Sequence, residues 1–109
     1  MNPRGKPAPP ISAADFPALS NFLRGYFHED MADEYGSPEG AVRRFQQDAD
    51  FTERRAVAAE WKHLLKCINP HSLNAVNDAL TKLGSGCTLE NDADLKKVSA
   101  AFEGTMSAS

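Results

Sequence analysis

Val57, Trp61, Leu64, Leu65 and Ile68 fall at i, i+4, i+7, i+8 and i+11, the clearest periodic pattern in the chain. That spacing gathers five large apolar groups on one stripe of an α-helix and would scatter them over both faces of a strand. A helix with one apolar side must bury it against another element. Four other segments supply partners of the same kind. Phe16, Leu19, Phe22, Leu23, Tyr26 and Phe27 make a wide stripe on a first helix, and Ala41, Val42, Phe45 and Ala49 a narrower one on a second. Leu73, Val76, Leu80 and Leu83 mark a fourth helix, and Leu95, Val98 and Phe102 a fifth. No window of four or more residues alternates as a half-buried strand does. The expectation is an all-α fold, a single-domain bundle of about five short helices with the Trp61 helix at its centre.

Local signals place the helix ends. Asp15 is the expected cap of the first helix, with Pro17 in its first turn, where a missing N–H costs nothing. Ser37-Pro38-Glu39 opens the second: a cap hydroxyl, a proline of preset φ, then an acid near the positive end of the dipole. Thr52 and Ser72 are the expected caps of the third and fourth, with Asn69-Pro70 stopping the third. Gly84 is expected in the left-handed position that closes the fourth. Asp92 or a neighbour caps the fifth, and Gly104 ends it. With 109 residues there is material for one core. Residues 1–11, rich in proline, read as a flexible lead-in, 12–104 as the helical domain and 105–109 as a tail.

Charge narrows the functional classes. The net charge is −3, and the basic pairs Arg43-Arg44, Arg54-Arg55 and Lys96-Lys97 are dispersed among acids. No concentrated basic face for nucleic acid results. The N-terminus has no apolar run of a secretory signal, and no segment approaches a membrane span. Cys67 and Cys87 are therefore expected as free thiols, with Cys67 packed on a helical apolar face. A cytoplasmic protein without cofactor is the expectation, with a monomer favoured.

The stretch GYFHEDMADEYGSPEGA, residues 25–41, holds five carboxylates, one histidine and no Lys or Arg. Four readings compete for it. A metal site would draw on His28, Asp30 and either Asp33 or Glu34, but no second histidine follows at i+3 or i+4 to complete a ligand set. Acid/base catalysis by Asp30 with His28 would need burial and tuned partners, which a run this hydrophilic does not promise. No nucleophile or phosphate-loop motif accompanies it. Helix capping accounts for Asp33, Glu34 and Glu39, which precede or open the second helix, and a solvated loop accounts for the rest. The fourth reading is a docking face. Glu29, Asp30, Asp33, Glu34 and Glu39, with Tyr35 as an aromatic anchor, would steer a basic partner and reject acidic ones.

The segment FPALSNFLRGYFHEDMADEYGSPEGAVRRF resembles the opening of the contact-dependent growth inhibition immunity proteins. Phe16, Pro17, Leu19, Phe22, Leu23, Tyr26, Phe27, His28 and Asp30 fit the family's first pattern. Tyr35, Gly36, Ser37, Pro38, Glu39, Ala41, Val42 and Phe45 fit its second. Glu29 stands where the family has glutamine and Met31 where it has tryptophan, and the last helix lacks the family's tryptophan. The resemblance implies a binding protein rather than an enzyme: a cytoplasmic protein that blocks the toxic C-terminal domain, often a nuclease, delivered by a neighbouring cell. On that implication Tyr26, Phe27 and His28 are scaffold. The candidate contact residues are Glu29, Asp30, Asp33, Glu34, Tyr35 and Glu39, extended by Asp48 and Asp50, against a basic toxin domain. A helical adaptor with another partner, or a small metal-dependent enzyme at His28 and Asp30, is the alternative.

Overall fold

Ser37 has extended backbone and its hydroxyl accepts the Gly40 N–H at 3.0 Å, so the Ser-Pro-Glu sequence opens a helix where expected. The computed structural model describes residues 12–68 and 72–107, and among these there are six α-helices and no strand. They are α1 (Pro17–Tyr26), α2 (Met31–Tyr35), α3 (Pro38–Asp48), α4 (Phe51–Cys67), α5 (Leu73–Lys82) and α6 (Asp92–Ser107), preceded by a 3-10 turn at Ala13–Asp15. The fold is all-α, as the apolar spacing required. The added helix is α2, in the acidic stretch.

Helix α4 packs on α1 and α6, while α6 also lies along α3, so the Trp61 helix shares the central position with α6. Trp61 is 2 % exposed. Its indole N–H donates to Ser99 Oγ at 3.0 Å and its ring lies 5.3 Å from that of Phe102, which ties α4 to α6. A second aromatic group centres on Phe22, whose ring lies 5.0 Å from Phe45, 5.2 Å from Phe27 and 5.5 Å from Phe102. Tilted and edge-on contacts at this range add specific attraction to the area they bury. They join α1, α3 and α6.

The helix ends hold several surprises. Asp15 does not cap α1: it belongs to the 3-10 turn, and the cap position falls on Phe16, which has no side-chain acceptor to offer. The orphan N–H of Leu19 instead donates to Glu60 Oε1, at 2.8 Å, from α4. A distant carboxylate thus does the work of a local cap. Glu60→Ala is expected to cost about 1–2 kcal/mol by urea unfolding, with Glu60→Gln, which keeps an acceptor, costing less. Equal stability of parent and Glu60→Ala would remove that bond from the account.

Helix α4 is capped by Asp50, which accepts the Glu53 N–H at 2.8 Å, rather than by Thr52. Ser72 caps α5 through the Ala75 N–H, and Gly84, with φ +110°, ends it in the left-handed region that favours glycine. Asn91 Oδ1 accepts the Asp94 N–H and caps α6, which runs through Gly104 to Ser107 instead of stopping there. Cys67 is exposed rather than packed, because its place at the end of α4 faces away from the stripe. The lead-in 1–11 and the Asn69-Pro70 stop lie outside the described residues.

The connection from α5 to α6 is pinned down. The Asn77 side chain exchanges two hydrogen bonds with the Leu89 backbone, at 2.8 and 2.9 Å. The buried Ser20 hydroxyl donates to the Leu83 carbonyl at 2.6 Å, fixing the end of α5 on α1. This loop meets the acidic stretch.

Candidate partner-binding surface

Helix α1 ends at Tyr26, and Phe27 is fully buried behind it. The chain then has to reach the Ser37 cap of α3, and it does so through a tight turn and α2. Met31 is the one residue of α2 that is buried, and it anchors that short helix to the core. Asp33 and Glu34 turn outward and are exposed, as are Glu29 and Asp30 in the preceding turn.

His28 orders this turn. Its Nδ1 accepts the Asp30 N–H at 3.1 Å, so the ring proton sits on Nε2, which donates to Glu34 Oε1 at 2.8 Å. From the other side, Gly86 N–H donates to the Phe27 carbonyl at 2.7 Å, and the Ser85 hydroxyl reaches the same oxygen at 3.3 Å. A Cβ at Gly86 would lie 3.0 Å from the Glu29 nitrogen and 3.2 Å from the His28 Cα, so any larger residue would push the α5–α6 loop back from this turn by a few tenths of an ångström. Burial pushes the nearby Cys87 thiol pKa up, against a smaller lowering by the Ser85 hydrogen bond.

The remaining candidate residues have other occupations. Tyr35 is half-buried and stacks on Tyr26 with ring centres 5.6 Å apart, so it offers an edge to a partner rather than a free side chain. Tyr26 donates to Asp48 Oδ2 at 2.9 Å; burial first, then that hydrogen bond, pushes its phenol up to about 12. Asp48 also pairs with Arg44 at 3.2 Å, and Glu39 with Arg43 at 2.7 Å, each one helical turn apart. Asp50 is occupied as the α4 cap. Glu29, Asp30 and Asp33 make no side-chain hydrogen bond or ion pair among the described residues. The structure therefore brings Glu29, Asp30, Asp33, Glu34 and Tyr35 together on one turn-and-helix unit. Asp48 is joined to them through the stack of Tyr26 on Tyr35.

Sequence reasoning did not find the roles of Ser85 and Gly86, because their contacts lie nearly sixty residues away in the chain. The pairs Glu39–Arg43 and Arg44–Asp48 did carry a signal, their i,i+4 spacing. Among the described residues no group of three or more His, Cys, Asp or Glu side chains is placed to hold a metal ion. No helix among them is long and apolar enough to cross a membrane.

The described residues form an all-α globule that displays Glu29, Asp30 and Asp33 from a braced turn. A family model described as CdiI immunity protein matches residues 15–97, and the chain belongs to that family. The match takes in all of α1 to α5 and the start of α6. Membership points to immunity, the neutralisation of a toxin, as its function. Comparison with curated proteins and with solved structures gives no match.

Proposed function

We propose that this protein binds the C-terminal toxin domain of a contact-dependent growth inhibition system, one to one and in the cytoplasm, and occludes a basic, polyanion-binding cleft of a nuclease. The observation that carries this reading is the set of three exposed carboxylates, Glu29, Asp30 and Asp33, with no cation of their own to neutralise them. No Lys or Arg lies between Gly25 and Ala41, so no cation within that stretch offsets their charge. A nuclease cleft holds Lys and Arg side chains spaced for phosphates, and carboxylates held at a fixed spacing take the place of those phosphates.

Glu34 belongs to the same face and accepts from His28. Tyr35 contributes an amphipathic edge of the kind interfaces favour. Glu39, Asp48 and Asp50 form the flank, where arginines or a capped N–H already share their charge. The bracing by His28 and Gly86 lowers the ordering cost of association, because the turn need not be fixed at the moment of binding.

Co-expression with a toxin domain sought in the neighbouring gene tests this reading. The two chains are expected to co-purify in equal amounts, and the toxin's nuclease activity is expected to disappear when this chain is added at equimolar concentration. A toxin that stays active in excess of this chain, or that does not associate with it, removes the proposal.

A further inference from the structure

Phe51 is the exposed large hydrophobic side chain among the described residues, with 48 % of its surface open to water. It takes the first position of α4 and lies outside the core cluster. Three and four residues on, Arg54 and Arg55 hold their guanidinium carbons 5.8 and 5.5 Å from the centre of its ring. Neither makes an ion pair among the described residues, and Arg54 reaches only the Asp50 carbonyl, at 3.4 Å. The arginines of α3 are different: Arg43 and Arg44 are each tied to a carboxylate one turn away. Cation–π attraction explains where the two α4 guanidinium groups rest. It does not explain a half-exposed phenyl ring at a helix position that asks for no apolar residue.

An aromatic ring flanked by arginines is the composition of an interface anchor. The ring supplies apolar area at low entropic cost, and the two planar cations suit carboxylates presented in pairs. We infer that Phe51, Arg54 and Arg55 form a second contact point for the toxin domain: the ring enters an apolar pocket on the toxin, and the guanidinium groups meet carboxylates on its rim. This inference rests on the immunity reading above. Asp48 and Asp50, on the flank of the acidic face, stand just before Phe51 in the chain, Asp50 as the cap of the helix that Phe51 opens. The cationic patch thus adjoins that flank, and one partner can reach both. With an acidic patch at one end and a cationic one at the other, only a toxin of the opposite pattern docks without like charges meeting, and only in one orientation.

Titration calorimetry of the toxin domain with the full chain, Phe51→Ala and the double variant Arg54→Glu/Arg55→Glu tests the assignment, with thermal melting of each chain alone. Phe51→Ala is expected to weaken binding about thirtyfold while melting within about 3 °C of the parent. The arginine reversal is expected to weaken it at least about tenfold. If the parent binds and Phe51→Ala stays within about twofold of it, this inference fails and the immunity reading stands. If the parent does not bind, both fail. Should Phe51→Ala melt well below the parent, the arginine variant decides: unchanged or tighter binding overturns the carboxylate rim. Binding of an oligonucleotide by the parent, lost in the arginine variant, would equally overturn it in favour of a polyanion site.

Discussion

Reversing the charge of Asp33 and Glu34 together, as Asp33→Lys/Glu34→Lys, is expected to weaken the toxin complex by about 3 kcal/mol or more, roughly a hundredfold. Two negative charges become positive on a face that would otherwise attract Lys and Arg, so both the encounter and the bound complex suffer. The association rate should fall most at low salt, where screening is weakest, and the gap between variant and parent should narrow as salt is raised. Glu34 has a second role as the acceptor for His28 Nε2–H, so part of the loss comes from that bond and not from charge. Glu34→Gln separates the two, since an amide oxygen still accepts from the ring while the charge is gone. Asp33 has no such partner and reports charge directly. Stopped-flow association at two salt concentrations measures both variants, and an unchanged rate and affinity of the charge reversal at low salt would mean that the toxin docks elsewhere.

Trp61→Ala is expected to cost about 3–5 kcal/mol, out of the roughly 5–15 kcal/mol that holds a domain of this size folded. The loss has two parts. The indole leaves a cavity between α4 and α6 beside Phe102, and the Ser99 hydroxyl loses the N–H it accepts from. For a chain of this length that corresponds to a fall in Tm of at least about 12 °C. Thermal unfolding followed by circular dichroism checks it. A variant that melts with the parent would show that the α4–α6 seam carries little of the stability, against the 2 % exposure of Trp61.

The five longer helices were legible because each carries an apolar stripe, and a stripe has only one way to be buried. Helix α2 was not. Between Glu29 and Glu34 only Met31 reaches the core, too little for a periodic signal, and its helical form depends on Phe27 and the braced turn beside it. Ser37 and Ser72 were readable as caps because they stand directly before the helices they serve. The bond from Leu19 to Glu60 was unreadable because its partner lies 41 residues away. The candidate surface was readable as an exposed acidic run, and its internal division was not. That Glu34 serves His28, and that Asp48 serves Tyr26, follows from how α1, α2 and α3 meet. Asp50 illustrates the limit well. Its carboxylate, read as part of a docking patch, closes the first turn of α4, a task for which Thr52 had the equally suitable residue type.

The turn that displays Glu29, Asp30 and Asp33 is held by main-chain bonds at Phe27, by the His28 ring and by the buried Met31, and by none of those three side chains. On the proposed reading, recognition and folding are thereby written in separate residues. Replacing an exposed, unbonded side chain typically changes stability by less than about 0.5 kcal/mol. A lineage carrying this scaffold can alter its address one carboxylate at a time, following a toxin that changes, without passing through a chain that no longer folds.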